Sequence, residues 1–165
     1  MEPKTVGGTG GTSPSGARVQ ASGFAAGAVI MTLDGEKAVE DLRPGDRVIT
    51  RDTGMAILKD ISAQTLRTRA IRVQAGSLGH TRPVRDVVLP AGQSLLVRDW
   101  RAEAMFGAKR AMVQVSQLVD GEFITDEGEA DLTLYTLDFD TPHIVYVDGL
   151  EVASTTDLEA LSKAA

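Results

Sequence analysis

Side chains able to move a proton near neutral pH are scarce in this chain. It holds two histidines, His80 and His143, and no cysteine. Thiolate nucleophiles, disulfides and cysteine or multi-histidine zinc centres are thereby excluded. His143 follows Pro142 in a β-rich stretch. A lone histidine there reads first as a hydrogen-bonded structural residue and second as a general base. His80 sits in Gly79-His80-Thr81-Arg82-Pro83, whose turn-like composition points to the surface. Asp120, Glu122, Asp126, Glu127, Glu129 and Asp131 crowd one segment. Hard cations want several carboxylate oxygens, but this spacing is not that of an EF-hand loop, and a solvated acidic hairpin fits better. Arg67, Arg69 and Arg72 suit either an anion or the soluble outer face of a strand. Trp100, the only tryptophan, reads as a local packing anchor. Gly7-Gly8-Thr9-Gly10-Gly11 has neither the preceding strand nor the following Lys-Ser/Thr of a phosphate loop.

The elements that must position these groups are mostly short strands between turn signals. Val29-Ile30-Met31-Thr32 is apolar and β-prone, Asp34-Gly35 is a hairpin signal, and Lys37 to Val39 returns. Arg43-Pro44-Gly45-Asp46 suits a type II turn, with Gly45 at the position that needs positive φ. Further strands are expected at Arg47 to Thr50, Met55 to Ile61, Ala70 to Gln74, Asp86 to Leu89 and Ser94 to Val97. Met112 to Val115, Leu132 to Phe139 and Ile144 to Val147 complete the series, and Asp148-Gly149 is a second hairpin signal. Helix is expected only at Arg101 to Phe106 and, from a capping box at Thr156-Asp157-Leu158-Glu159, to about Lys163. The class is therefore all-β. The expected core includes Phe24, Val29, Ile30, Val39, Leu42, Val48, Ile49, Ile71, Val73, Val88, Leu96, Val113, Val145 and Val147.

A length of 165 residues, with 42% hydrophobic and 24% charged side chains, fits one globular domain and a tail. Residues 1–21 carry five of the 17 glycines and read as a flexible leader. The net charge of -6 is uneven, +5 over residues 1–119 and -11 over residues 120–165. Interspersed apolar residues favour mutual neutralisation within one domain over a basic binding face. The absence of a basic stripe or stacking platform argues against nucleic acid, and the absence of a long apolar run argues against a membrane. The start has no signal-peptide core, which points to a cytoplasmic protein or one exported without a cleavable signal. A protein partner stays open, and no cofactor or metal is implied.

Beyond these readings, Gly23-Phe24-Ala25-Ala26-Gly27-Ala28, Leu33-Asp34-Gly35-Glu36, Val39-Glu40-Asp41-Leu42-Arg43-Pro44-Gly45-Asp46-Arg47-Val48 and Asp52-Thr53-Gly54 form an ordered series. Ile71 to Gly79, Asp86 to Val97, Ala104 to Gly107, Val113 to Gly121 and Val145 to Gly149 continue it. The series resembles the Hint domain shared by hedgehog autoprocessing domains and inteins. The bacterial Hint-type domains are the nearest in texture. The resemblance implies an all-β, horseshoe-like domain over residues 22–155, preceded by the leader and followed by a short helix or tail at 156–165.

The resemblance also implies a chemistry whose residues are missing here. The family's first residue is a Cys or Ser that attacks the preceding carbonyl, turning an amide into an ester. That position falls on Gly23. A Ser/Thr-x-x-His motif polarises the scissile peptide and protonates the departing amine. That motif falls on Pro90-Ala91-Gly92-Gln93, so Pro90 replaces the hydroxyl residue and Gln93 the histidine. Later histidine positions fall on Thr136 and Pro142, with His143 one residue beyond. Gly23, Gln93 and His143 are expected to lie near one another as a vestigial site. The implied function is a non-catalytic structural or interaction module. One alternative is weak self-cleavage by Ser22, helped by His143; another is an accessory module of an exported bacterial protein.

Overall fold

Alternation of inward and outward side chains builds most of the described protein. The computed structural model describes residues 22–79 and 82–154. The leader, His80 and the 156–165 segment lie outside the described residues. Strands β1 (Phe24–Ala25), β2 (Val29–Thr32), β3 (Gly35–Ala38), β4 (Arg47–Thr50) and β5 (Gly54–Ile57) come first. They are followed by β6 (Asp60–Val73), β7 (Val87–Pro90), β8 (Ser94–Val97), helix α1 (Trp100–Phe106) and β9 (Ala111–Gln114). β10 (Ile124–Asp138), β11 (Ile144–Val147) and β12 (Leu150–Ala153) end the series. One sheet has the order β1-β10-β6-β7. The other follows β3-β2-β4-β11-β12-β8-β9, with β5 paired to β4. Phe24, Ile30, Val48, Leu58, Ile71, Leu95, Ile124 and Leu150 belong to one buried apolar cluster. Among the described residues the fold is all-β with one short α-helix.

Turn chemistry sets the register of the hairpins. Gly45 has φ 98° and the Asp46 amide donates to the Arg43 carbonyl at 3.0 Å, as a type II turn requires. Asp148 and Gly149 have φ 52° and 90°, the paired positive values of a two-residue hairpin turn, between the partners Val147 and Leu150. The first hairpin corrects the sequence reading. Thr32 pairs with Gly35, so the turn residues are Leu33-Asp34 and Gly35 opens β3.

A larger departure is the pairing of β6 with β10 from Val73↔Ile124 to Asp60↔Asp138. Its charged middle has none of the apolar alternation that marks a strand. The charges themselves supply the pairing. Arg67 lies 3.7 Å from Glu129 and 3.6 Å from Asp131, Arg69 3.1 Å from Asp126 and Arg72 3.5 Å from Glu127. The acidic segment thus neutralises the arginine strand. Val29, Ile49 and Val88 are only half-buried because alternation turns them to outer faces.

Two buried carboxylates staple the other sheet and its connections. Glu151 is 2% exposed and accepts from Arg98 Nε at 2.7 Å, with Arg98 Nη2 at 2.6 Å and Arg82 Nη2 at 3.0 Å. Arg51 meets its other oxygen. Burial holds the Arg82 guanidinium below its ordinary pKa, opposed by Glu151 and reinforced by Arg98. Asp148 accepts from Arg85 Nε at 2.8 Å, and Arg85 Nη2 donates to the Gly27 carbonyl at 2.9 Å.

These two kinds of ion pair differ in worth. Glu151→Ala strands three guanidinium groups and should cost about 3–5 kcal/mol. Asp131→Ala removes one exposed pair and should cost under about 1 kcal/mol. Urea denaturation of both variants against the parent checks the contrast; equal losses would contradict it.

Candidate functional site

The β7–β8 turn carries a glutamine into the interior. The Gln93 amide donates to the Pro90 carbonyl at 2.9 Å, and the Gln93 carbonyl accepts from Val115 at 2.8 Å. The side chain, only 2% exposed, is held to backbone at every end. Its Oε1 accepts from the Gly23 amide at 2.6 Å, while Nε2 donates to the Ala153 carbonyl at 2.8 Å and the Ser94 carbonyl at 3.3 Å. Reversing the amide would set N–H against N–H and oxygen against two oxygens, so this orientation is the satisfied one. One side chain therefore joins the strand that opens the domain to the strand that closes it.

Gly23 N belongs to the Ser22–Gly23 peptide, which the resemblance aligns with the bond that the family chemistry breaks. Gln93 touches this nitrogen as an acceptor and has no titratable proton to give it near neutral pH. Gly23 has φ 134°, a conformation rare for residues with a side chain, and β1 pairing presses it against β10. A Cβ at this position would lie 3.2 Å from both Leu134 Cβ and the Tyr135 carbonyl oxygen. The position thus lacks a side chain, and one added there would be both strained and crowded.

The other sequence-derived positions distribute as follows. Pro90 is buried at the end of β7, an edge strand that tolerates its missing N–H. Ser22 is half-buried, and its hydroxyl has no hydrogen-bond partner among the described residues. Thr136 and Pro142 line an open cleft of about 340 Å³ with Ser154, the residue after Ala153. No group of three or more carboxylate or imidazole ligands is placed to hold a metal among the described residues.

His143 serves a different contact. Its Nδ1 lies 2.8 Å from Asp52 Oδ2, and Asp52 Oδ1 accepts from the Ile144 amide at 3.1 Å. Since a carboxylate only accepts, Nδ1 carries a proton, and Nε2 lies 3.2 Å from the Thr141 hydroxyl. The Phe139 ring meets the imidazole edge-on at 5.5 Å. The His143 backbone pairs with Ser154, one residue past the Gln93 contact, but the ring makes no hydrogen bond to Gly23 or Gln93. Asp52, missed at the sequence level, ties the β4–β5 turn to β11. Its only sequence signal was its place in Asp52-Thr53-Gly54, which reads as a plain turn.

Comparison with solved structures places this architecture. A DnaB intein from Synechocystis sp. PCC 6803 superposes with TM-score 0.58 at 11% identity, covering 82% of this chain and 99% of the other. A bacterial intein-like domain from Clostridium thermocellum gives 0.54 at 16%, covering 81% and 98%. The gp41-1 intein gives 0.52 at 10%, covering 80% and 98%. The class defined by fold is an intein-like β scaffold. The family model described as Hint domain matches residues 22–159, and the chain belongs to the Hint family. No curated protein shows a significant match.

The Gln93 tie generates a pH-dependent expectation. Gln93→Glu keeps an acceptor for Gly23 but turns the second oxygen toward the Ala153 and Ser94 carbonyls. Protonation relieves that repulsion, so the folded-state pKa of the new carboxyl should rise above the ordinary value of about 4.3. The variant should approach parental stability below that value and lose it as pH rises through the raised pKa. Denaturant midpoints of parent and variant from pH 3.5 to 7.5 read the difference; a gap that does not widen with pH would count against the tie.

Proposed function

We propose that this Hint domain has lost autoprocessing and serves as a non-catalytic structural or interaction module. The observation that carries this reading is the Gly23–Gln93 contact. At the position where the resemblance calls for a nucleophile stands a residue without a side chain, in a conformation suited to glycine. Where it calls for an acid to protonate the leaving amine stands a neutral amide that accepts from that nitrogen. Nucleophile and acid/base are thus both absent from one intact geometry, and a fold without its site carries no reaction.

Self-cleavage by Ser22 gains no support from the site. Attack on the preceding carbonyl would expel Ser22 N, whereas Gln93 engages Gly23 N. Among the described residues the Ser22 hydroxyl has no hydrogen-bond partner to act as a base, and the His143 ring contacts Asp52 and Thr141.

The purified chain should keep its full mass through prolonged incubation with dithiothreitol or hydroxylamine, which intercept thioesters and esters. Gly23→Cys alone should give little cleavage, because the backbone must first leave φ 134° and Gln93 still cannot protonate the amine. Gly23→Cys with Gln93→His should cleave faster, measured by intact mass. A fragment beginning at Ser22 in the unmodified protein, abolished by Ser22→Ala, would overturn the non-catalytic reading.

A further inference from the structure

Trp100 is not the packing anchor its sequence position suggests. It is 68% exposed, and Phe123 beside the same cleft is 46% exposed. The chain has only one tryptophan, two tyrosines and four phenylalanines. Leaving two of these in solvent forgoes apolar burial worth about 25 cal/mol per Å². The cleft between them is about 430 Å³, within the usual range for small-molecule sites. None of its lining residues contributes to the Gly23–Gln93 contact.

Both aromatics stand on fixed mounts. The Arg101 guanidinium lies 4.8 Å from the Trp100 ring centroid and supports one face of the indole. Arg101 itself is 7% exposed, with Nη1 donating to the Ser77 carbonyl at 2.9 Å and to Asp99 Oδ2 at 2.5 Å. Asp120 Oδ1 accepts from the amides of Glu122, Phe123 and Ile124 at 2.9 Å each, fixing the turn that presents Phe123. The Gln74 amide donates to the Phe123 carbonyl at 2.9 Å, tying this turn to the end of β6. A site held this way spends little ordering entropy on a ligand.

Polar groups around the cleft select the ligand class. Gln74 offers both donor and acceptor, and Glu122 and Asp120 offer carboxylate oxygens. Ser77 also lines the cleft, and its hydroxyl has no hydrogen-bond partner among the described residues. The charges are one arginine, already held by Asp99 and facing Asp120 at 3.8 Å, against the carboxylates of Asp120 and Glu122. This excess of negative charge repels phosphate and sulfate groups. A cationic side chain would meet Arg101 where it already engages the indole. A ligand with one flat apolar face, a rim of hydroxyls and no charge suits the whole arrangement.

We propose that this cleft binds a neutral carbohydrate, with a pyranose ring stacked on Trp100 and flanked by Phe123. The ring's C–H face lies on the indole, while its hydroxyls bond to Gln74, Glu122 and Asp120. This inference is independent of whether the Gly23–Gln93 site is silent.

Because Trp100 is the only tryptophan, its fluorescence reports this cleft alone. The full chain is titrated with three neutral probes, cellotriose, maltotriose and the trimer of N-acetylglucosamine. At least one should give a saturable blue shift with a dissociation constant of about 1 mM or tighter. Phe123→Ala, which keeps the reporter, should weaken binding about tenfold or more, a loss of roughly 1.4 kcal/mol. Trp100→Ala, followed by calorimetry, should abolish it, and Leu33→Ala at a distant exposed position should change nothing. Circular dichroism confirms that the variants fold. Absence of a saturable response to all three sugars, or a response untouched by Phe123→Ala, overturns the proposal. Tighter binding of a sulfated heparin tetrasaccharide or of tetralysine also overturns it.

Discussion

One buried amide holds the two ends of this domain together. The first described strand has only two residues, so its ladder with β10 is short. Gln93 reaches Gly23 on one side and Ala153 on the other, joining positions 130 residues apart in the chain through a single side chain. The cost of leaving a buried donor or acceptor unpaired, about 1–3 kcal/mol each, makes this a demanding contact. It also accounts for the local details around it. The β7–β8 turn must be tight for Gln93 to point inward, and β1 must pair with β10 for Gly23 to meet it. The ladder β8-β12-β11 then carries the constraint to His143 and Asp52.

Charge is used in two physically distinct ways around this frame. The β6–β10 ribbon carries its ions in solvent, where each pair contributes little and several together define register and solubility. Glu151 and Asp148 carry theirs in the interior, where each charge must be fully partnered. Four of the twelve acidic residues after position 119, Asp126, Glu127, Glu129 and Asp131, belong to the first use. The second use is invisible in composition, because one buried glutamate among many acidic residues changes no average.

What the sequence revealed follows from the range of the forces involved. Turns such as Arg43-Pro44-Gly45-Asp46 and Asp148-Gly149 were legible because their dihedral demands are local. The apolar strands were legible by alternation, though Val29 and Ile49 proved to face outward, since alternation gives two faces without saying which is covered. The middle of β6 and β10 was not legible, because its pairing depends on arginines and carboxylates about sixty residues apart. Gln93 was located by resemblance, and only the fold revealed its three backbone contacts. Asp52 was visible only as part of the turn motif Asp52-Thr53-Gly54, with nothing to show its contact to His143, and the exposure of Trp100 had no sequence signal.

The geometry separates two properties that the family resemblance joins. An imidazole at position 93 would supply hydrogen bonding and proton transfer together. Glutamine supplies the first without the second, and does so with a neutral group whose acceptor and donor ends match the Gly23 amide and the Ala153 carbonyl simultaneously. Stability of the frame therefore places no demand on acid–base chemistry at this position. At Gly23 the demand runs the other way, since φ 134° and the proximity of Leu134 and Tyr135 favour the residue with no side chain. The tie and the reaction make opposing requirements on the same peptide. A nucleophile needs a Cβ and room to swing toward the preceding carbonyl, whereas the observed packing brings β10 against the space that the Cβ would occupy. On the proposed non-catalytic reading, the packing at Gly23 and the Gln93 tie act in the same direction.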